Sequence, residues 1–223
     1  MRLLLCLLLL LTTSPAWGGL VDFNGQFSIK VSSIAELRFK TIYKQQYDFS
    51  CGSATLASLL SFHYDDQVNE LSVFKDMFAH GNKEKIKHQG FSLLDMKHYL
   101  TRRGYNANGF KITLKQLASA QLPAITIINN NGYMHFVIIK GSNDSEVLVG
   151  DPAVGIKSIK IDAFQQMWGD RIVFVIQDRK DIAVNHYKND QQNDHLVRAN
   201  LGLAIDHASL GLFNVLQPSS VDF

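Results

Sequence analysis

The chain has 223 residues, of which 46% are hydrophobic, and its charges nearly cancel at a formal net of +2. That is long and apolar enough for one well-buried domain, and too balanced for a disordered chain or a nucleic-acid binder. Two cysteines, Cys6 and Cys51, are present.

The N-terminus reads Met1-Arg2, a leucine-rich run from Leu3 to Leu11, and the exit Thr12-Thr13-Ser14-Pro15-Ala16-Trp17-Gly18. A positive start, a short apolar core and small residues at the exit predict a secretory signal peptide over 1–18. The run is shorter than the roughly 20 apolar residues of a membrane span. Removal of this segment takes Cys6 with it and leaves Cys51 as the sole cysteine of a periplasmic protein. A lone thiol in an oxidising compartment reads as a reactive group or an intermolecular partner.

Phe23 to Val31 alternates apolar and polar residues and predicts a strand, and Ser33 to Phe39 a short helix. From Ala54, Leu56, Leu59 and Leu60 recur at helical spacing, with Asp48 and Ser50 as capping candidates, so a helix runs to about His63. Cys51 falls in or near its first turn, where unpaired N–H groups and the positive end of the helix dipole favour the nucleophilic thiolate. Position alone does not separate this from a buried, inert cysteine.

Glu70 to Phe78 predicts a second helix with Leu71, Phe74 and Phe78 on one face. Lys83, Lys85 and Lys87 form a small basic run that reads as a solvated loop, with contact to an acidic substrate as the alternative. Ser92-Leu93-Leu94-Asp95 resembles a capping box and opens a helix that stops at Gly104. A strand near Tyr105 to Ile112 and a helix over Thr113 to Ala120 follow. Beyond Pro123 the runs Ala124–Ile128, Tyr133–Lys140, Glu146–Val149, Ile156–Ile161 and Arg171–Gln177 are β-rich and separated by turn signals, with one helix over Asp162 to Trp168. A helical half followed by an antiparallel sheet is an α+β arrangement with a cleft between the two. The predicted domain covers 19–180. Residues 181–223 form a mildly acidic extension that packs on the domain or faces a partner, with Leu196, Leu203 and Leu210 on one helix face.

A thiol nucleophile needs a base, an orienting group and donors for the developing oxyanion. His135 is the candidate base, because it interrupts an apolar strand; taken alone, a structural hydrogen bond is the simpler explanation. Asp151 ends the next strand, where a hairpin brings it beside His135, although Asp151-Pro152 is also an ordinary turn. Gln45, with Gln46 as competitor, could donate to the oxyanion together with the Cys51 N–H. Most of the remaining histidines read as ordinary surface residues. No metal-ligand spacing occurs, so no metal or organic cofactor is expected.

Read as Q-x-x-x-x-x-C-G-x-A-x-L, Gln45 to Leu60 resembles the signature of the bacteriocin-processing cysteine peptidases, which remove double-glycine leaders. Tyr133-Met134-His135-Phe136-Val137 and Gly150-Asp151-Pro152 resemble that family's histidine and aspartate motifs, in the same order and spacing. The resemblance spans Ile42 to Asp178. It implies a papain-like fold, with the helical half packed through its nucleophile helix on the sheet, and a triad of Cys51, His135 and Asp151 with Gln45 as oxyanion donor. In its signal peptide, the stretch Lys44 to Gly52 and its size, the chain is closer still to the exported, stand-alone members that accompany functional-amyloid fimbriae in Pseudomonas. That likeness implies a protein or peptide substrate, with amyloid fibril subunits and an outer-membrane export pore as partners. The chain departs from transporter-linked members in having no ATPase motif, so their double-glycine preference does not carry over. A peptidase-like binding module and a papain-like acyl transferase are the rival readings.

Overall fold

The computed structural model describes residues 34–47, 49–188 and 190. The predicted signal peptide, the strand at Phe23 to Val31, Asp48 and the leucine face beyond Leu196 lie outside them. Five helices come first: α1 (Ile34–Arg38), α2 (Cys51–His63), α3 (Glu70–His80), α4 (Lys83–Gln89) and α5 (Leu93–Arg102). Strand β1 (Ala107–Lys111) and helix α6 (Leu114–Ala120) lead into β2 (Ala124–Asn130), β3 (Tyr133–Ser142), β4 (Glu146–Asp151) and β5 (Gly155–Lys160). Helix α7 (Ile161–Met167), β6 (Ile172–Ile176) and a last helix, α8, over 180–188 complete the order.

The six strands form one sheet in the order β1-β6-β2-β3-β4-β5, with every pair antiparallel. One face carries Ile125, Phe136, Ile138, Phe174 and Ile176 against α2 and its neighbours; the other carries Val137, Ile139, Val147 and Val149 against Phe164, Trp168 and α6. The chain is therefore an α+β domain with a core on each side of the sheet.

Helix α2 is buried on all sides, Leu56, Leu59 and Leu60 completely. Small residues allow that burial, and each polar one is satisfied. Ser58 Oγ accepts from Tyr43 N at 2.8 Å and donates to Ala54 O at 2.6 Å, and Thr55 Oγ1 donates to Phe136 O at 3.3 Å. The capping box at Ser92 and Asp95 forms as the sequence predicts.

Two local expectations are corrected. The buried residues of α3 are Glu70, Val73 and Met77, while Leu71 is exposed and Phe74 joins a cluster with Tyr47, Phe49, Phe78 and Phe91. Lys83, Lys85 and Lys87 belong to a helix, α4, capped by Asn82 and anchored by buried Ile86.

Candidate active site

Cys51 is the first residue of α2 and is 9% exposed. Ser50 holds the N-cap position without capping the helix through its side chain. Its hydroxyl bonds instead to the Tyr47 backbone and to the buried Glu70 carboxylate, which also accepts from Gln46 N at 3.2 Å. Glu70 thus pins the loop that delivers Cys51, a role its position in a helix pattern does not reveal. At Gly52 an added Cβ would lie 3.1 Å from Phe91 Cβ and 3.2 Å from Met96 Cε, so glycine lets α2 seat closely beside α5.

His135 is placed by a turn. Asn131 and Gly132, both at positive φ, join β2 to β3 in the two-residue pattern that suits right-twisted strands, and the register sets His135 opposite Ile128. On the far side Ile139 pairs with Val149, so His135 and Asp151 share one parity across the β3–β4 pair. His135 Nε2 donates to Asp151 Oδ1 at 2.7 Å, and both side chains are nearly excluded from water.

The electrostatics follow from that contact. Burial works against the charged imidazole of His135, but the Asp151 hydrogen bond and the neighbouring Cys51 thiol outweigh it and raise the pKa to about 9. Burial likewise works against the Asp151 carboxylate, and is outweighed by His135, by Lys157 Nζ at 2.9 Å on Oδ2 and by Ala153 N at 2.9 Å on Oδ1, which lower it to about 2. With Nε2 committed to Asp151, buried Nδ1 is the ring nitrogen left for proton transfer. Lys157 escaped the sequence reading. The β4–β5 hairpin pairs Asp151 with Gly155, so residue 157 shares the parity of Asp151, and that signal could have found it.

Cys51 and His135 open on a cleft of about 670 Å³, walled also by Phe49, Leu94, Tyr133 and Met134. Gln45 is not among its lining residues. Its backbone N donates to Pro152 O at 2.9 Å, its Nε2 donates to Tyr47 O at 3.3 Å, and its Oε1 is buried without a partner. Gln46 is exposed. Among the described residues no group of three or more His, Cys, Asp or Glu side chains is placed to hold a metal, and no helix is long and apolar enough to cross a membrane.

His63 is fully buried at the end of α2, 3.0 Å from Lys140 Nζ. Lys140, also buried, donates to Thr41 Oγ1 at 3.0 Å and lies 2.9 Å from Asp190 Oδ2.

Comparison with known proteins agrees with this architecture. The Peptidase C39 family matches over residues 39–181. Two proteins named probable functional amyloid protease FapD are similar: that of Pseudomonas aeruginosa is 40% identical over 178 residues, covering 78% of each chain. That of Pseudomonas fluorescens is 38% identical over 180 residues, covering 78% of this chain and 79% of its own. Among solved structures, the peptidase domain of Streptococcus ComA aligns with a TM-score of 0.52 at 21% identity, over 61% of this chain and 96% of that domain. A double glycine motif protease from an AMS/PCAT transporter aligns with a TM-score of 0.50 at 24% identity, over 60% and 89%. These two share the fold. The family match, the extent of the Pseudomonas relatives and the common fold together mean that the chain belongs to the Peptidase C39 family and is a cysteine peptidase.

Proposed function

We propose that the chain is an exported, periplasmic peptidase that cuts a protein or leader-peptide substrate in the processing or secretion of functional-amyloid fibril subunits, using Cys51, His135 and Asp151 as its triad. The observation that carries the triad is the 2.7 Å contact of buried His135 with buried Asp151, beside a thiol at the start of a thirteen-residue helix. The Cys51 thiolate attacks the peptide carbonyl, the imidazolium of His135 protonates the leaving amine as the C–N bond breaks, and His135 then takes a proton from the water that hydrolyses the thioester. Asp151 keeps the ring oriented and stabilises its charged form. N–H groups of the first α2 turn meet the oxyanion. Gln45 is the proposed side-chain donor, a role that requires its amide to leave Tyr47 O. The fibril-subunit role is supported by the names of the Pseudomonas relatives, and the export by the pattern of residues 1–18.

The test is mass spectrometry of a purified Pseudomonas functional-amyloid fibril subunit incubated with the mature protein, with brief iodoacetamide labelling in parallel. New subunit fragments are expected with the wild type, with rates lower by about a thousandfold or more in Cys51→Ala and His135→Ala, and slowed labelling of Cys51 in His135→Ala. Fragments that persist in Cys51→Ala would overturn the triad. An intact subunit beside rapid Cys51 labelling would overturn the fibril role alone.

A further inference from the structure

The cleft has a wall that peptide-bond chemistry does not require. Helix α4 brings Lys85, Lys87 and His88 to the space that Cys51 and His135 line, and no Asp or Glu lines it. Buried Ile86 pins the helix, so its neighbours Lys85 and Lys87 stay at the surface. Lys87 meets Glu84 at 3.3 Å, but both side chains are more than half exposed and such a pair is weak. Lys85 and His88 form no ion pair among the described residues. The N-terminal end of α2 adds its own positive field to the cleft. The same cleft is lined by Leu94 and Met134, which are 58% and 57% exposed, values that leave large apolar side chains facing water.

We propose that the α4 edge is a specificity subsite for a carboxylate: the substrate is a peptide that sets an Asp or Glu side chain against Lys85 and Lys87 while its apolar side chains cover Leu94 and Met134. This rests on the reading that the cleft is the peptidase site. Charge complementarity favours an acidic occupant because the α4 wall carries Lys85 and Lys87 and no Asp or Glu lines the cleft. The selection works on encounter as well as on binding, since an electropositive cleft draws in an acidic chain and rejects a basic one.

Cleavage profiling of a synthetic peptide library with randomised positions on both sides of the cut tests it, using the full mature protein. The wild type should enrich Asp or Glu at one position near the cleaved bond, with kcat/KM for those peptides falling as salt is raised. Lys85→Glu/Lys87→Glu should lose that enrichment, lower kcat/KM for acidic peptides roughly threefold to tenfold and gain a preference for Lys or Arg at the same position. Lys85→Arg/Lys87→Arg should keep the wild-type profile. A gained preference cannot come from a misfolded variant. A charge-blind wild-type profile, or one unchanged by charge reversal, overturns the subsite and leaves the peptidase reading standing. A library left uncut by a wild type whose Cys51 also labels slowly overturns both.

Discussion

At the scale of single residues, the site is a chain of charges in which each member sets the next. His135 is held protonated to about 9 and Asp151 ionised to about 2, and the hydrogen bond they share is common to both shifts, with Cys51 adding to the first and Lys157 and Ala153 to the second. The raised imidazole contributes stability that is complete below its unfolded value near 6.5 and is lost as pH rises through 9. The lowered carboxylate contributes stability that is complete above its unfolded value near 3.8 and is lost as pH falls through 2. The contribution is thus greatest between these unfolded values. Asp151→Asn should flatten the dependence of the urea midpoint on pH above 6.5, as followed by fluorescence; an unchanged slope would mean that the pair is not linked to folding. Lys157 shares the same carboxylate at 2.9 Å. Lys157→Met concentrates the Asp151 charge on the imidazolium and should move the alkaline limb of kcat/KM upward by roughly half a unit to one unit, whereas Lys157→Arg should hold it in place. Cys51, His135 and Asp151 were each legible as candidates because a reactive residue type sat at a helix start, inside an apolar strand or at a strand end. Lys157 was not, because its role depends on which residue the hairpin sets beside it.

At the scale of elements, turns and caps were readable and faces were less so. The Asn131-Gly132 turn, the Ser92 capping box and the antiparallel run from β2 onward follow from local sequence, since a turn type or a cap requires particular side chains within three residues. Helix α4 was misread because a run of lysines resembles a solvated loop; one apolar residue, Ile86, and the Asn82 cap suffice to fold it against the domain. The buried face of α3 was misread because its charged Glu70 turns inward toward Ser50. The β4–β5 turn carries the strictest local requirement. Gly155 has φ +92, and an added Cβ would lie 2.7 Å from the Arg38 carbonyl oxygen. Gly155→Ala should therefore cost roughly 2 kcal/mol or more and lower kcat as well, because Asp151 and Lys157 hang from this hairpin. Calorimetry and initial rates check both, and a variant with wild-type melting would show that the hairpin adapts.

At the scale of the whole molecule, α2 and β3 each carry a triad candidate at one end and a buried polar group at the other. Cys51 begins α2 and His63 ends it; His135 lies near the start of β3 and Lys140 near its end. Burial pushes Lys140 below its usual range against the raising effect of Asp190, and holds His63 well below 6.5, reinforced by Lys140 and His186. The Lys140–Asp190 contact is an ion pair at 2.9 Å. Asp190 is itself helical, and the last helix before it buries Ala183 and Tyr187. Removing one member of a buried pair strands the other: Asp190→Ala should cost about 3 kcal/mol in urea unfolding, and Lys140→Met/Asp190→Ala should recover most of it. Equal stability of the two variants would contradict the pairing. Composition, periodicity and the three motifs by themselves determined the family, the α+β class, most element positions and the identity of the triad candidates, because those depend on residue type and spacing along the chain. Only the tertiary structure decided what Glu70, Lys157, His63 and Lys140 do, because each takes its role from a partner 6 to 77 residues away that the fold brings within hydrogen-bonding distance.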